Sequence, residues 1–132
     1  SLTQQRSIRF LLLSSSASTS QTISQNQIVL PVDDTPLILD VLREILDKNA
    51  NTNLFLIFDN LSELIMCVGF EQVYKFLLHV LEMIPSKRTT ALFILNKSAH
   101  EPNMASQIKG LFQNILAYEQ NEFKIAKISL NR

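Results

Sequence analysis

The stretch N-L-F-L-I-F-D-N-L-S-E-L, Asn53 to Leu64, decides how this chain is read. Five apolar residues, Leu54, Phe55, Leu56, Ile57 and Phe58, run without a polar interruption into Asp59. Such a run suits a strand buried on both faces of a parallel sheet. Asp59 would then stand at the carboxyl end of that strand, where open α/β sheets hold their ligands. Directly after it, Asn60 and Glu63 have the spacing of a capping box, which predicts a helix from Leu61 with Leu61, Leu64, Ile65 and Val68 on one face. Gly69 is the expected stop of that helix.

Working outward, apolar runs alternate with amphipathic stretches. Ser7 to Leu13 reads as a first strand, and Gln27 to Val32 as a second, closed by Asp33 and Asp34. Between them, Ser14 to Asn26 is rich in Ser, Thr, Gln and Asn and is expected to be a polar loop. Thr35-Pro36 opens a helix whose free amides Asp34 or Thr35 can cap. Its inner face would carry Leu37, Ile38, Val41, Leu42, Ile45 and Leu46. A further helix is expected over Phe70 to Ile84, with Pro85 as its stop. Tyr74, Phe76 and Leu78 make that helix apolar on more than one side, so they form a candidate self-association surface. Thr89 to Leu95 reads as another strand, and Pro102 restarts a helix whose buried stripe is Met104, Ile108, Leu111, Phe112 and Ile115, with Gly110 inside it. The chain would close with an antiparallel hairpin, Ile115 to Tyr118 against Phe123 to Leu130, across the polar turn Glu119 to Glu122. A shift of apolar phase between Ile125 and Ile128 predicts a β-bulge there. These elements give an α/β fold: a three-layer sandwich with a mostly parallel central sheet, in one domain spanning residues 1–132.

Composition narrows the function. Twelve basic and twelve acidic residues cancel, so charge points to neither nucleic acid nor an anionic membrane. The single cysteine, Cys67, forms no intrachain disulfide, and with only two histidines it cannot complete a conventional zinc site. No uncharged apolar run approaches the roughly 20 residues of a spanning helix. A cytoplasmic protein is expected, with protein partners, a homo-oligomer among them, and without cofactor or metal. A first residue other than Met leads to the expectation of a segment processed from something longer.

The order strand, Asp59, L-S-E-L, amphipathic helix, strand, helix and terminal hairpin resembles the back half of the RecA-superfamily ATPase core, KaiC-like domains in particular. Leu56-Ile57-Phe58-Asp59-Asn60-Leu61-Ser62-Glu63-Leu64 is similar to that family's Walker B segment, which implies a cofactor-binding role for Asp59. One departure governs the enzymology. A Walker A loop needs glycines so that backbone amides can wrap the phosphates, and a Lys to neutralise them. This chain has no Gly before Gly69 and no Lys before Lys48. No carboxylate follows the first strand, where KaiC-like enzymes carry catalytic glutamates. The resemblance therefore implies a KaiC-like core that has lost ATP hydrolysis, similar to archaeal signalling-associated domains of this type, with no catalytic residues.

Ile28 to Leu46 also looks like the opening strand and helix of a phosphoacceptor receiver domain. In that alternative, Asp33 and Asp34 hold Mg²⁺, Asp59 accepts the phosphoryl group and Lys97 senses it. The spacing of 25 positions from Asp34 to Asp59 argues against it, because a receiver needs a further strand and helix in that interval. Asp59, Asp33 and Asp34 have plainer readings as helix caps and turn residues, and Cys67 as a buried structural thiol. His100-Glu101 lacks a nucleophile, and His79 faces outward. Lys87, Arg88, Lys97, Lys109 and Lys124 read as solvated surface, without the aromatic interleaving of a single-strand binder.

Overall fold

A computed structural model of the chain describes residues 8–84 and 88–129. Its contacts divide the chain into two compact units at the Ile94/Leu95 boundary.

The first unit opens with β1 (Phe10–Ser14), β2 (Gln21–Ser24) and β3 (Gln27–Pro31), in the spatial order β1-β3-β2. β1 pairs with β3 in parallel, and β2 pairs with β3 in antiparallel fashion. The expected polar loop Ser14 to Asn26 is thus corrected in part, since Gln21–Ser24 is an edge strand. Every residue of β2 is exposed. It is held by ladder hydrogen bonds to β3, which ask nothing of side-chain polarity, so composition could not reveal it. The first strand begins at Phe10; Ser7 lies outside the described residues.

Helix α1 (Thr35–Lys48) follows. Asp34 is its N-cap, accepting the Leu37 amide at 3.1 Å, and Pro36 occupies the first turn, where its missing N–H costs nothing. Ile38 and Leu42 are buried, while the outer face carries the pairs Asp40–Arg43 and Glu44–Lys48. β4 (Leu54–Phe58) leads into α2 (Leu61–Val68), α3 (Phe70–Met83) and β5 (Thr89–Phe93). Pro85, the expected stop of α3, lies outside the described residues. β4 and β5 pair in parallel from Leu54↔Thr89 to Phe58↔Phe93. α3 packs on α1 and α2, and α1 on β3. Leu30, Ile38, Leu61, Val73 and Leu77 are the most deeply buried apolar side chains of this core.

Strands that the sequence reading gathers into one mostly parallel central sheet therefore form a three-stranded and a two-stranded sheet. The expectation that β4 is buried on both faces is also corrected. Its exposure alternates, with Leu54, Leu56 and Phe58 partly covered and Phe55 and Ile57 61% and 62% exposed. On the covered face, the Phe58 ring meets Phe76 of α3 at 5.7 Å between centroids. The opposite face stands open.

The second unit contains a 3₁₀ turn (Lys97–Ala99), α4 (Pro102–Lys109), β6 (Ile115–Glu119) and β7 (Glu122–Lys127). Ala105 and Ile108 are its buried helical residues. α4 ends at Lys109 and Gly110 is its C-cap, so the expectation of a helix running through Gly110 to Ile115 is corrected. No close approach demands that glycine: a Cβ there would meet the Gln107 and Ser106 carbonyl oxygens at 3.4 and 3.5 Å, ordinary contacts. β6 and β7 form the expected C-terminal antiparallel hairpin. Its two turn residues, Gln120 and Asn121, have φ of 51° and 63°, the positive pair that a tight two-residue hairpin turn requires. The register shifts where Ile115 pairs with Lys127 and Leu116 with Ile125. The extra residue is Ala126, inside the interval where the apolar phase changes.

Candidate functional site

The end of β4 is built by short-range chemistry. Ile94 donates its amide to the Phe58 carbonyl at 3.1 Å, and the Ile94 carbonyl accepts the Leu61 amide at 2.8 Å. The β5 exit thereby receives the first free amide of α2. Asn60 caps the same helix, its side-chain oxygen accepting the Glu63 amide at 2.9 Å. Glu63 adds negative charge in the first turn, where the helix dipole favours it. Ser62 is buried at the α2 start and Glu63 is exposed.

Asp59 stands at the carboxyl end of β4, exposed to solvent, and its carboxylate enters no hydrogen bond or ion pair among the described residues. The cap expected of Asp59 is supplied by its neighbour Asn60 instead, because the helix starts one residue later than an Asp59 cap would require. Asp34 spends its carboxylate on α1, and Asp33 is exposed. Among the described residues, no three His, Cys, Asp or Glu side chains come close enough to hold a metal ion. Asp33, Asp34 and Asp59 are accordingly not gathered into one cluster.

The candidate interface residues part company. Phe76 is 2% exposed and belongs to the core, Tyr74 is half-buried with its ring 5.9 Å from Phe70, and Leu78 lies on the surface. Cys67, expected to be buried, is exposed. α2 turns Leu61, Ser62, Leu64 and Ile65 inward, which leaves Met66 and Cys67 on its far side. His79 is exposed, as its helical position predicts.

The β4–β5 pair has an open face that the apolar pattern of its strands does not reveal. Phe55 and Ile57 from β4, Leu92 from β5 and Ile94 just beyond it are all exposed. Direct neighbours in the register are Phe55↔Thr90 and Ile57↔Leu92, so no charged side chain interrupts the strip. The apolar run Leu54 to Phe58 is its trace in the sequence, yet an uninterrupted run reads the same whether its second face is covered or open.

In the second unit, Lys97 donates to the Glu119 carboxylate across 22 residues of sequence. That hydrogen bond, then the Lys97 charge, with lesser help from Lys124 and Lys109, holds the Glu119 carboxyl below its ordinary pKa. Lys97, Ser98, His100, Ser106 and Lys109 line an open depression of about 380 Å³ beside it. Glu44 is lowered likewise by its hydrogen bond to Lys48 and by that charge.

Comparison of the chain with models of known protein families, with curated proteins and with solved structures finds no match. No helix among the described residues is long and apolar enough to cross a membrane.

Proposed function

We propose that this chain is a non-catalytic regulatory or signalling module that works through protein contacts, on a degenerate KaiC-like α/β core that has lost ATP hydrolysis. The observation that carries the reading is the open β4 face. Phe55 and Ile57, on the strand that ends at Asp59, are more than half exposed. Large apolar side chains grouped on one sheet face mark interaction surfaces in soluble proteins. The absence of a Walker A sequence supports the loss of hydrolysis, since the Walker B-like Asp59 has no glycine-rich phosphate cradle to work with. The plain chemistry around Asp59, an exposed carboxylate beside an amide-capping asparagine, fits a strand-to-helix junction.

Calorimetry with ATP and Mg²⁺ tests the loss of nucleotide chemistry. No saturable heat is expected. Stoichiometric binding, or turnover that disappears in Asp59→Asn, would overturn it. The open face is tested with an environment-sensitive apolar dye, whose fluorescence on the wild-type chain should drop in a Phe55→Ser/Ile57→Ser double variant. An unchanged signal from a folded double variant would remove the observation on which the reading rests.

A further inference from the structure

The β6–β7 hairpin, in the second unit, carries an apolar face of its own. Leu116 pairs directly with Ile125, and Tyr118 with Phe123. Alternation along each strand puts these four on one side of the hairpin and Ala117, Glu119, Glu122 and Lys124 on the other. All four are strongly exposed: Leu116 63%, Tyr118 60%, Phe123 73% and Ile125 66%. The Tyr118 and Phe123 rings already touch, with centroids 4.8 Å apart. This is a preformed apolar surface that contains no charge.

From these observations we infer that the hairpin face is the contact between two copies of this chain, face against face about a two-fold axis. The inference deepens the interaction-module reading by naming a partner, and it rests on that reading only for the idea that protein contact is the function. Three physical points select a second copy. First, a two-stranded hairpin is marginal by itself in water, and a second layer on its apolar side gives it a core. Among the described residues β6 and β7 pair only with each other. Secondly, sheets pack face to face about 10 Å apart through alternate apolar side chains, the arrangement that two such quartets offer each other. A two-fold axis lets one patch serve both copies, and with no charge on it no like-charge repulsion opposes the contact. Thirdly, four large side chains at these exposures present about 500 Å² per copy, so full coverage of both quartets would bury about 1,000 Å², the minimum asked of a specific interface.

Sedimentation velocity on the full chain over a concentration series is the test. The wild-type chain should shift from monomer to dimer with increasing concentration. Phe123→Glu should weaken the dimer by about tenfold or more, since it places a charge in the centre of the contact. Phe55→Glu, in the other unit, should leave the dimer constant unchanged. In a Cys67→Ser background, Tyr118→Cys should crosslink between copies under mild oxidation, which reads the geometry without a destabilising charge. A wild-type chain that stays monomeric at every concentration would overturn the inference, as would a dimer broken by Phe55→Glu and untouched by Phe123→Glu. Failure here leaves the open β4 face and its dye test standing, so the two readings fail separately.

Discussion

Phe58 stacks on Phe93, its register partner on the parallel neighbouring strand, with ring centroids 5.8 Å apart and planes 20° from parallel. The same Phe58 ring meets Phe76 of α3. One residue earlier on the strand, Ile57 is 62% exposed. A continuous apolar run thus has one face in the core and one in solvent.

That division has a measurable consequence. Phe58→Ala should cost about 3 kcal/mol, the lower end of the range for a Phe removed from a core because Phe58 is half-buried. Phe55→Thr, on the open face, should change stability by less than about 0.5 kcal/mol. Chemical denaturation of the two variants decides the matter. Equal large losses would mean that both faces are buried.

Gly69 joins α2 to α3 with φ 94° and ψ 156°, a backbone region that is close to glycine-only. Gly69→Ala should therefore cost about 1–3 kcal/mol through backbone strain alone, because an added Cβ would meet nothing within 4 Å. A thermal unfolding midpoint equal to that of the wild type would contradict the strained junction.

Asn60 and Asp59 are neighbours with different work. Removing the Asn60 side chain leaves the Glu63 amide without its partner, so Asn60→Ala should lose about 1 kcal/mol. Asp59→Asn should be close to neutral, within about 0.5 kcal/mol, as expected for an exposed group that enters no pair among the described residues. Urea midpoints of both variants compare the two roles, and the reverse ranking would make Asp59 the structural residue.

The Lys97–Glu119 pair predicts a pH effect of definite sign. The native pKa of Glu119 lies below its unfolded value. Its contribution to stability is therefore complete above the ordinary carboxylate pKa and is lost as pH falls through the lower native one. Lys97→Met should raise the Glu119 titration midpoint toward the ordinary value, as followed by carboxyl carbon NMR. Both side chains are substantially exposed, so added salt should also raise it. A midpoint indifferent to Lys97 would refute the pairing.

Local chemistry was legible in the sequence. Asn60 with Glu63 marked the start of α2, Pro36 the start of α1 and Gly69 the end of α2. The polar turn between Glu119 and Glu122 and the changed apolar phase after Ile125 marked the hairpin and its bulge. Each of these signals acts within a few residues, where backbone sterics and nearest hydrogen bonds decide the outcome. β2 escaped because an exposed edge strand is held by its ladder and leaves little trace in side-chain pattern. Gly110 misled because a glycine inside an apolar repeat looks the same whether it interrupts a helix or ends one.

Residue order alone marks the starts of α1 and α2, the end of α2 at Gly69, β4 as an apolar strand running into Asp59, and the lack of a G-x-x-x-x-G-K sequence. Tertiary structure alone decided which side of that strand is covered, that Phe76 is core while Leu78 is surface, that Cys67 faces out, and that Lys97 finds Glu119. The physical reason is that burial belongs to the neighbours. An apolar side chain carries the same hydrophobic driving force wherever it stands, and it is the contacts of Phe58 with Phe76 of α3 and with Phe93 that shelter it while Phe55, on the opposite face of β4, stays exposed.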